Sequence, residues 1–563
     1  MASDPLPPRP KLVGALREYD RGKALADLIA GVTVGLVALP LALAFAISSG
    51  LTPQAGVYTA IVAGGLISLL GGSRLQIGGP TGAFVVIVAG IVAKHGVEGL
   101  FVCTLMAGGM LVLLGATGMG TAVKFIPRPV VVGFTNGIAV LIASTQIRDF
   151  FGLTVDSVPT QFLPRLQLLA ARFDTWSPHA AALAVGTIAI IVAANRISKR
   201  LPGAIFALCI GTAIVFAFGF PVETIGTRFG GIPAGLPAIH VPRFHVELLG
   251  GLIVPAMTVA MLGAIESLMS AMVADRMSGD RHDSNVELIA QGVANIASPL
   301  FGGLPATGAI ARTATNIRAG AQTPVAGLVH ALTLAVILMV AAPLASYVPL
   351  AVLAAILLVV AYNMGDWGEI PELLRLTKTD VMVWVVTFAL TVFADLTQAV
   401  GVGMVCAALL FIKRVADTTT VVAVTADYVE AGHVHALQNQ TIPAYVRIYR
   451  VHGPFLFGAT DKLRAVLDDI QSLPPIVILR LRNMTALDAT GLRAFEELAQ
   501  ALHASGRSLL LCGARHQPAR LIARADFHRH IGGANICNNV TEALRRARAI
   551  HSAHDQSSTE PAA

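Results

Sequence analysis

Apolar stretches that are each long enough to cross a lipid bilayer recur from about residue 25 to about residue 416. A hydrocarbon core about 30 Å thick takes roughly 20 helical residues, and only helices and closed barrels satisfy their backbone hydrogen bonds within it. The predicted spans lie near residues 27–48, 54–71, 98–118, 129–147, 179–197, 203–220, 250–273, 285–301, 323–347, 349–364, 380–396 and 398–412. Two shorter apolar pieces, 80–94 and 307–317, complete about 14 crossings. The sequence therefore predicts a polytopic α-helical membrane protein.

The composition supports this prediction and excludes other classes of protein. Charged residues make up 13% of the chain and hydrophobic residues 55%, whereas a soluble protein carries roughly 25% charged residues. A soluble enzyme, a disordered protein and a nucleic-acid-binding module are therefore excluded. The five cysteines show neither a CxxC motif nor metal-ligand spacing, and no catalytic triad motif or P-loop is present. We therefore expect no metal site, no cofactor, no enzymatic activity and no nucleic-acid partner.

The basic residues predict the orientation in the membrane, because lysine and arginine are enriched in cytoplasmic loops. The basic residues that fall on one side of the predicted spans are Arg9, Lys11, Arg17, Arg21, Lys23, Arg74, Lys124, Arg128, Arg196, Lys199, Arg200, Arg276, Arg281, Arg375, Lys378, Lys413 and Arg414. That side is predicted to be cytoplasmic. Both termini then lie in the cytoplasm.

Changes in pattern along the chain predict its domains. Residues 1–24 form a cytoplasmic segment and residues 25–416 the membrane domain, with repeats at about 25–225 and 247–416. A polar linker (417–440) leads to a small α/β domain (441–550) with alternating strands and helices. The expected elements of that domain are strands at 445–451, 476–481 and 508–512, and helices at 460–471, 490–504, 517–524 and 541–550. Residues 551–563 are predicted to be a disordered tail.

A repeated Gly/Pro/Thr break interrupts the apolar pattern once in each half of the membrane domain. Leu70-Gly71-Gly72 followed by Gly79-Pro80-Thr81-Gly82-Ala83 is echoed by Phe301-Gly302-Gly303-Leu304-Pro305-Ala306-Thr307-Gly308-Ala309. Short, Gly/Pro-interrupted segments at corresponding places in two halves point to the binding site of a transporter.

Each break is predicted to start a half-helix within the membrane. The first N–H groups of such a helix lack partners and carry about half a positive charge, so two facing starts form an anion site without a cationic side chain. The residues predicted to line this site are Thr81, Gly82, Ala83, Ala309, Ile310 and Ala311. A structural alternative is that these small residues only allow close helix packing.

Two charged residues lie near the breaks. Glu266 is near the middle of an apolar span, where a charge costs roughly 2.5–3.5 kcal/mol on insertion scales and so indicates a function. The structural alternative is that the Glu266 carboxyl is protonated and hydrogen-bonded to a neighbouring helix. Arg312 follows the second break, and it either assists anion binding or forms an ion pair at the far end of the half-helix.

Several motifs resemble those of the SulP (sulfate permease) family of anion transporters. They are Asp27-Leu-Ile-Ala-Gly-Val-Thr-Val-Gly35, Gly50-Leu-Thr-Pro53, Gly79-Pro80-Thr81 and, most specifically, Gly303-Leu-Pro-Ala-Thr-Gly-Ala-Ile-Ala-Arg312-Thr-Ala-Thr-Asn316. The run Leu487-Asp488-Ala489-Thr490-Gly491-Leu492 is similar to the STAS domain that ends such chains. The resemblance covers Asp27 to about Ile550.

The resemblance implies a fold and a mode of action. It implies two inverted seven-helix repeats, core and gate domains, an elevator-like movement, a homodimer in the bacterial inner membrane and a cytoplasmic STAS domain with a possible protein partner. Many family members have Ala-Tyr where this chain has Ala44-Phe45, so Phe45 makes the predicted pocket less polar. In STAS-like domains a phosphorylatable residue directly follows the Asp, but here Ala489 excludes that switch. Asp488 is expected to cap the next helix.

We interpret the chain as a secondary active transporter of small anions. The run Gly263-Ala-Ile-Glu266-Ser-Leu268 is similar to the proton-coupled branch that carries C4-dicarboxylates such as fumarate, succinate and aspartate. Glu266 is then expected to bind the coupling proton. One alternative is a transporter or exchanger of sulfate, bicarbonate or chloride. An alternative of another class is a membrane sensor or scaffold that acts through the STAS domain.

Overall fold

The structure, a computed structural model, divides into two compact units, Met1–Val405 and Cys406–Ala563. It describes residues 9–120, 127–155, 158–197, 202–233, 235, 237–240, 242, 246–375, 377–394, 396–424, 442–467 and 470–558. The predicted cytoplasmic residues Lys124, Lys199 and Arg200 lie outside these ranges, as do most of the predicted linker and residues 559–563.

The first unit is helical, and every predicted span coincides with a helix. The described helices that begin in this unit are α1 (Lys11–Arg17), α2 (Arg21–Ser48), α3 (Pro53–Leu70), α4 (Gly82–Ala116), α5 (Arg128–Phe151), α6 (Phe162–Ala171), α7 (Pro178–Ile197), α8 (Gly203–Phe218), α9 (Ile225–Phe229), α10 (Val246–Ser278), α11 (Ser284–Leu300), α12 (Ile310–Arg318), α13 (Val325–Ala345), α14 (Leu350–Met364), α15 (Ile370–Leu373), α16 (Lys378–Phe393) and α17 (Leu396–Thr418), of which α17 continues past Val405. Eight helical segments of the described residues, one of which runs from Leu350 to Leu373 through α14 and α15, are long and apolar enough to cross a membrane. The prediction of a polytopic helical membrane fold is confirmed.

Helix α4 contains two of the predicted spans. Gly96 interrupts it with φ +70°, a left-handed conformation that glycine adopts without a Cβ clash. The half-helix that starts at the first break therefore ends here, and a second membrane helix follows directly. This agrees with the separate spans predicted at 80–94 and 98–118.

Helix packing in the first unit is reciprocal between the two halves. Helix α4 packs on α10 and α11, while α13 packs on α2 and α3. The crossing of α4 and α11 is close, since a Cβ on Gly108 would lie 2.7 Å from the Gly292 carbonyl oxygen and a Cβ on Gly292 2.6 Å from that of Gly108. A second group comprises α5, which packs on α14 and α16, and α7, which packs on α8 and α14. Inverted repeats produce this arrangement, in which helices of one half pack on helices of the other half.

The second unit is an α/β domain with one five-stranded sheet in its described part. Its strands are β3 (Thr420–Ala423), β4 (Val446–Phe455), β5 (Ile476–Leu487), β6 (Ser508–Cys512) and β7 (Ile536–Cys537), in that order, and only β3 is antiparallel to its neighbour. The helices are α18 (Asp461–Leu467), α19 (Ala489–Ala504), α20 (His516–Arg524), α21 (His528–Ile531) and α22 (Val540–Ser558). Alternate residues of β5 enter apolar clusters on opposite faces of the sheet, so the predicted covered sheet is confirmed.

Three predicted boundaries differ from the structure. Helix α2 starts at Arg21 rather than near residue 25, because Asp20 caps it by accepting a hydrogen bond from Lys23 N at 2.8 Å. Part of the predicted linker is ordered, since β3 pairs with β4. The last helix continues to Ser558, beyond the end predicted for it at Ile550.

Candidate functional site

The two breaks meet as a small antiparallel sheet. Strand β1 (Gly78–Gly79) pairs with β2 (Thr307–Gly308), and Ala309 N donates to the Ile77 carbonyl at 2.8 Å. Helix α4 leaves from the end of β1 and α12 from the end of β2. Because the strands are antiparallel, the two helices start close together and run in opposite directions. The two sequence segments predicted to form one site are therefore adjacent.

Neither half-helix start is capped by a side chain. Thr81 precedes α4 and Ala309 precedes α12, and neither side chain accepts a hydrogen bond from the helix that follows. The first N–H groups of both helices therefore remain available to a ligand. The partial positive charges of the two helix ends add in the space between them, which favours an anion there.

Glu266 lies at the first of these starts. Its carboxylate Oε2 accepts a hydrogen bond from the Thr81 hydroxyl at 2.9 Å, and the side chain is only partly buried. The hydroxyl of Thr81 is free for this contact because it does not cap α4. The carboxylate is thus placed beside the N–H groups of α4, where its protonation state changes the charge that an anion meets.

Helix α10 is also bound to the second break and to α12 by residues that the sequence analysis missed. Ser267 Oγ lies 2.6 Å from Thr307 Oγ1 and accepts from Gly308 N at 3.3 Å, and Ser270 Oγ lies 3.0 Å from Thr313 Oγ1. The two serines follow Glu266 by one and four residues, and this spacing could have identified them from the sequence. These contacts hold Glu266 in register with the breaks.

Arg312 is buried behind the first break rather than paired with a carboxylate. Only 1% of Arg312 is exposed, and its Nη2 donates to the Pro80 carbonyl. A Cβ on Gly79 would lie 2.5 Å from Nη1. Within the described residues, Nε and Nη1 have no hydrogen-bond partner. The guanidinium therefore places an uncompensated positive charge beside the break that precedes α4.

Apolar side chains surround the first start. A Cβ on Gly82 would lie 3.1 Å from Ile142 Cδ1, 3.3 Å from Phe45 Cε1 and 3.3 Å from Met364 Sδ. The structure thus places the predicted residue Phe45 at the site. Ile142 on α5 and Met364 on α14 were missed, since nothing distinguishes them from other apolar residues in the sequence. They belong to the second helix group, so the site lies where the two groups meet.

Of the remaining predicted residues, two are exposed at the start of α12 and two have buried side chains. Ile310 is 38% exposed and Ala311 is also exposed at the start of α12. The side chains of Ala83 and Ala309 are buried, with 1% and 8% exposed. Only the backbone of these two residues can contribute to an anion site, and the Ala83 side chain packs in the apolar core.

A separate cavity of about 790 Å³ lies beside the first half-helix. Its walls come from α4, α5, α6, α10 and α16, and it extends to Val86 and Leu141, close to Gly82 and Ile142 in the sequence. Lys94 and His95 line it, and Lys94 is exposed. Among the described lining residues Lys94 is the charged one, and such a cationic side chain attracts anions.

In the second unit, the predicted cap of α19 is confirmed. Asp488 Oδ1 accepts from Gly491 N at 2.7 Å, and Oδ2 accepts from Phe457 N at 3.0 Å. Both carboxylate oxygens therefore hold backbone groups. Ala489 and Thr490 are exposed at the start of this helix.

Comparison with known proteins identifies both units. The sequence matches the sulfate permease family over residues 25–387 and the STAS domain over residues 436–543. The putative sulfate transporter YvdB of Bacillus subtilis is 41% identical over 532 residues, covering 94% of this chain and 99% of the relative. The bicarbonate transporter BicA of Picosynechococcus sp. is 30% identical, covering 92% and 94%.

Solved structures share the fold. The murine solute carrier 26 family member A9, an anion transporter solved in the inward-facing state, superposes with a TM-score of 0.84 at 18% identity, covering 97% of this chain and 96% of that one. The transmembrane domain of a cyanobacterial bicarbonate transporter BicA has a TM-score of 0.61 at 33% identity, covering 69% of this chain and 98% of that one.

Proposed function

The chain belongs to the sulfate permease family of anion transporters, and from that premise we propose that it takes up C4-dicarboxylates together with protons. Fumarate, succinate and aspartate are the proposed substrates, bound at the facing starts of α4 and α12. The proposed movement is elevator-like, with the breaks carried on one helix group past the other. We further propose a homodimer in the bacterial inner membrane with cytoplasmic termini, and a STAS domain that regulates or assembles the carrier.

The contact between Glu266 and Thr81 carries the proposal of proton coupling. Two helix ends supply about one positive charge between them, and the buried Arg312 adds to it, while a dicarboxylate brings about two negative charges. An ionised Glu266, 2.9 Å from the Thr81 hydroxyl, subtracts from the positive charge. A dianion is therefore bound best when Glu266 carries a proton, which ties substrate and proton uptake together.

The apolar residues around Gly82 support an organic substrate. Phe45, Ile142 and Met364 approach the first start from three helices. A carbon backbone between two carboxylates can contact these side chains, whereas a sulfate ion presents only polar oxygen atoms, which lose hydration against apolar side chains and gain no contact from them.

The second candidate is an inorganic anion, and the names of the relatives favour it. YvdB is described as a putative sulfate transporter and BicA as a bicarbonate transporter. Backbone N–H groups bind sulfate, bicarbonate and carboxylate alike, so the same helix starts suit either class of substrate.

Uptake into proteoliposomes separates the two candidates. The purified chain is tested with radiolabelled succinate, fumarate, aspartate, sulfate, bicarbonate and chloride, under an inward proton gradient or an inward sodium gradient. We expect succinate to accumulate with the proton gradient and not with sodium. Uptake of sulfate or bicarbonate alone would replace the first candidate by the second. A folded protein that moves none of these anions would instead favour a sensor or scaffold.

Replacing Glu266 tests the coupling itself. The Glu266→Gln variant keeps a hydrogen-bonding side chain but cannot exchange a proton, so it should bind succinate and lose gradient-driven accumulation. Glu98→Gln is the matched control, because Glu98 pairs with His240 at 3.1 Å and lies on the part of α4 that follows the interruption at Gly96. Proton-driven accumulation that survives in Glu266→Gln would remove Glu266 from the mechanism.

A further inference from the structure

An apolar cavity of about 400 Å³ lies between the two helix groups, apart from the anion site. One wall is formed by α2, α3 and α13, including Leu43, Val57 and Ala341, and the opposite wall by α8, including Leu208 and Ala213. This volume is in the range of cavities that hold small-molecule ligands. Among its described lining residues, only Cys209, Thr212 and Tyr347 have a polar or sulfur-bearing side chain.

Exposed apolar side chains surround this cavity. Three of its wall helices, α2, α3 and α13, are long and apolar enough to cross a membrane, and large apolar residues at or beside its walls are strongly exposed, including Phe216 at 70% and Leu344 at 66%. In the core of a bilayer, the medium around such exposed residues is hydrocarbon. Water is a poor occupant because it needs two to four polar partners, and leaving an apolar cavity of this size empty costs stability.

One end of the cavity is marked by an aromatic pair. Tyr347 and Phe216 both line it, and their rings contact edge to face at a centroid distance of 5.3 Å. Tyrosine is enriched where hydrocarbon meets the polar headgroups. A chain that enters here can keep its polar end near Tyr347 and place its methylene groups against Leu43, Leu208 and Ala341.

We propose that this cavity is a binding site for one acyl chain of a membrane phospholipid, inserted between α8 and α13. The cavity is bounded by both helix groups. If the two groups slide past each other as proposed above, the acyl chain occupies the space between them. Binding of the lipid does not depend on that movement.

Photocrosslinking of the full-length protein tests the proposal. The protein is reconstituted in phosphatidylethanolamine and phosphatidylglycerol vesicles that contain a phospholipid with a diazirine on its acyl chain. After irradiation, adducts are mapped by peptide mass spectrometry. We expect adducts concentrated on the residues of α8 and α13 that line the cavity. Adducts spread evenly over the exposed residues of the first unit would overturn the proposal.

Two variants from opposite walls sharpen this test. Ala341→Trp and Ala213→Phe fill the cavity, and each should lower its adducts about tenfold, which corresponds to only about 1.4 kcal/mol of binding free energy. Val340→Trp is the control, because Val340 is 77% exposed and does not line the cavity. Unchanged adducts in both filled variants, shown to be monodisperse, would contradict the proposal.

A second copy of the chain is the competing occupant. In the Cys406→Ser background, oxidation would join Cys209 of two copies if another copy covered the cavity, since Cys209 lines it and is exposed. We expect no such cross-link. Its formation, together with loss of the lipid adducts, would assign the cavity to an interface between copies. Uptake is measured separately, so a failure of the proposed substrate leaves the crosslinking result intact.

Discussion

The two half-helix starts derive from the same repeated motif, yet they carry different side chains. At the first start, Thr81 contacts Glu266, and Gly82 is enclosed by side chains from three helices. At the second start, Ala309 and Ile310 offer no polar side chain, and Ile310 is 38% exposed. The repeat thus preserves the backbone geometry while the side-chain chemistry is concentrated at one end.

This difference separates two proposed tasks, anion binding and proton exchange. The backbone N–H groups of both starts can hold an anion, which needs only the helix geometry. The proposed proton exchange needs a titratable group, and the carboxyl of Glu266 lies at the first start. The second copy of the motif supplies Arg312, whose guanidinium reaches the first break and donates a hydrogen bond to the Pro80 carbonyl. Changes at the first start should therefore affect both binding and coupling.

Filling the first start should have the largest effect. We expect Gly82→Leu to reduce uptake to background, because even a Cβ there lies 3.1–3.3 Å from Ile142, Phe45 and Met364. Gly109→Leu is a matched control on the same helix, since a Cβ at Gly109 meets nothing within 4 Å. Uptake is compared in proteoliposomes after both proteins are shown to be folded.

The same experiment at the second start tests whether both starts are needed. Ala311 is exposed at the beginning of α12, so Ala311→Phe should fill the gap without disturbing the core and should also abolish uptake. Normal transport by a well-folded Ala311→Phe protein would show that the anion binds at the first start alone.

Replacing Arg312 should have the next largest effect. Arg312→Gln removes the buried positive charge and should weaken substrate binding by about 10- to 100-fold, as expected for a charge-assisted interaction worth about 1.5–3 kcal/mol. Arg312→Lys keeps the charge but loses the planar guanidinium. If Lys restores affinity, the charge matters for binding. If both variants bind equally poorly while remaining folded, the contact with Pro80 is what matters.

The sequence predicted the positions of the spans and breaks because length, apolarity and Gly/Pro interruptions are local properties. It also drew attention to Glu266, since a carboxylate within an apolar span is costly, and the structure places this residue beside Thr81. It missed the pairing of β1 with β2, because two-residue strands have no periodicity to detect. Ile142 and Met364 were missed because their role depends on which helices come together, and that is a property of the packing alone.

Removing the Thr81 hydroxyl should have a smaller effect on the same site. Thr81→Val deletes the hydrogen bond to Glu266, worth about 0.5–1.5 kcal/mol, and should shift the pH dependence of uptake while changing affinity about tenfold or less. Thr81→Ser keeps the hydroxyl and serves as the control. Identical pH profiles for Thr81→Val and Thr81→Ser would show that the contact does not influence proton exchange.

The smallest expected effect lies outside both starts, in the cavity lined by Lys94. Lys94 is exposed and lines the 790 Å³ cavity beside the first half-helix, so it should raise the local anion concentration without touching the bound substrate. Lys94→Gln should lower uptake at subsaturating substrate about two- to threefold at low salt, with an unchanged maximal rate. At 1 M ionic strength the difference should vanish, because charges are then screened within about 3 Å. A salt-independent loss in Lys94→Gln would instead place Lys94 in direct contact with the substrate.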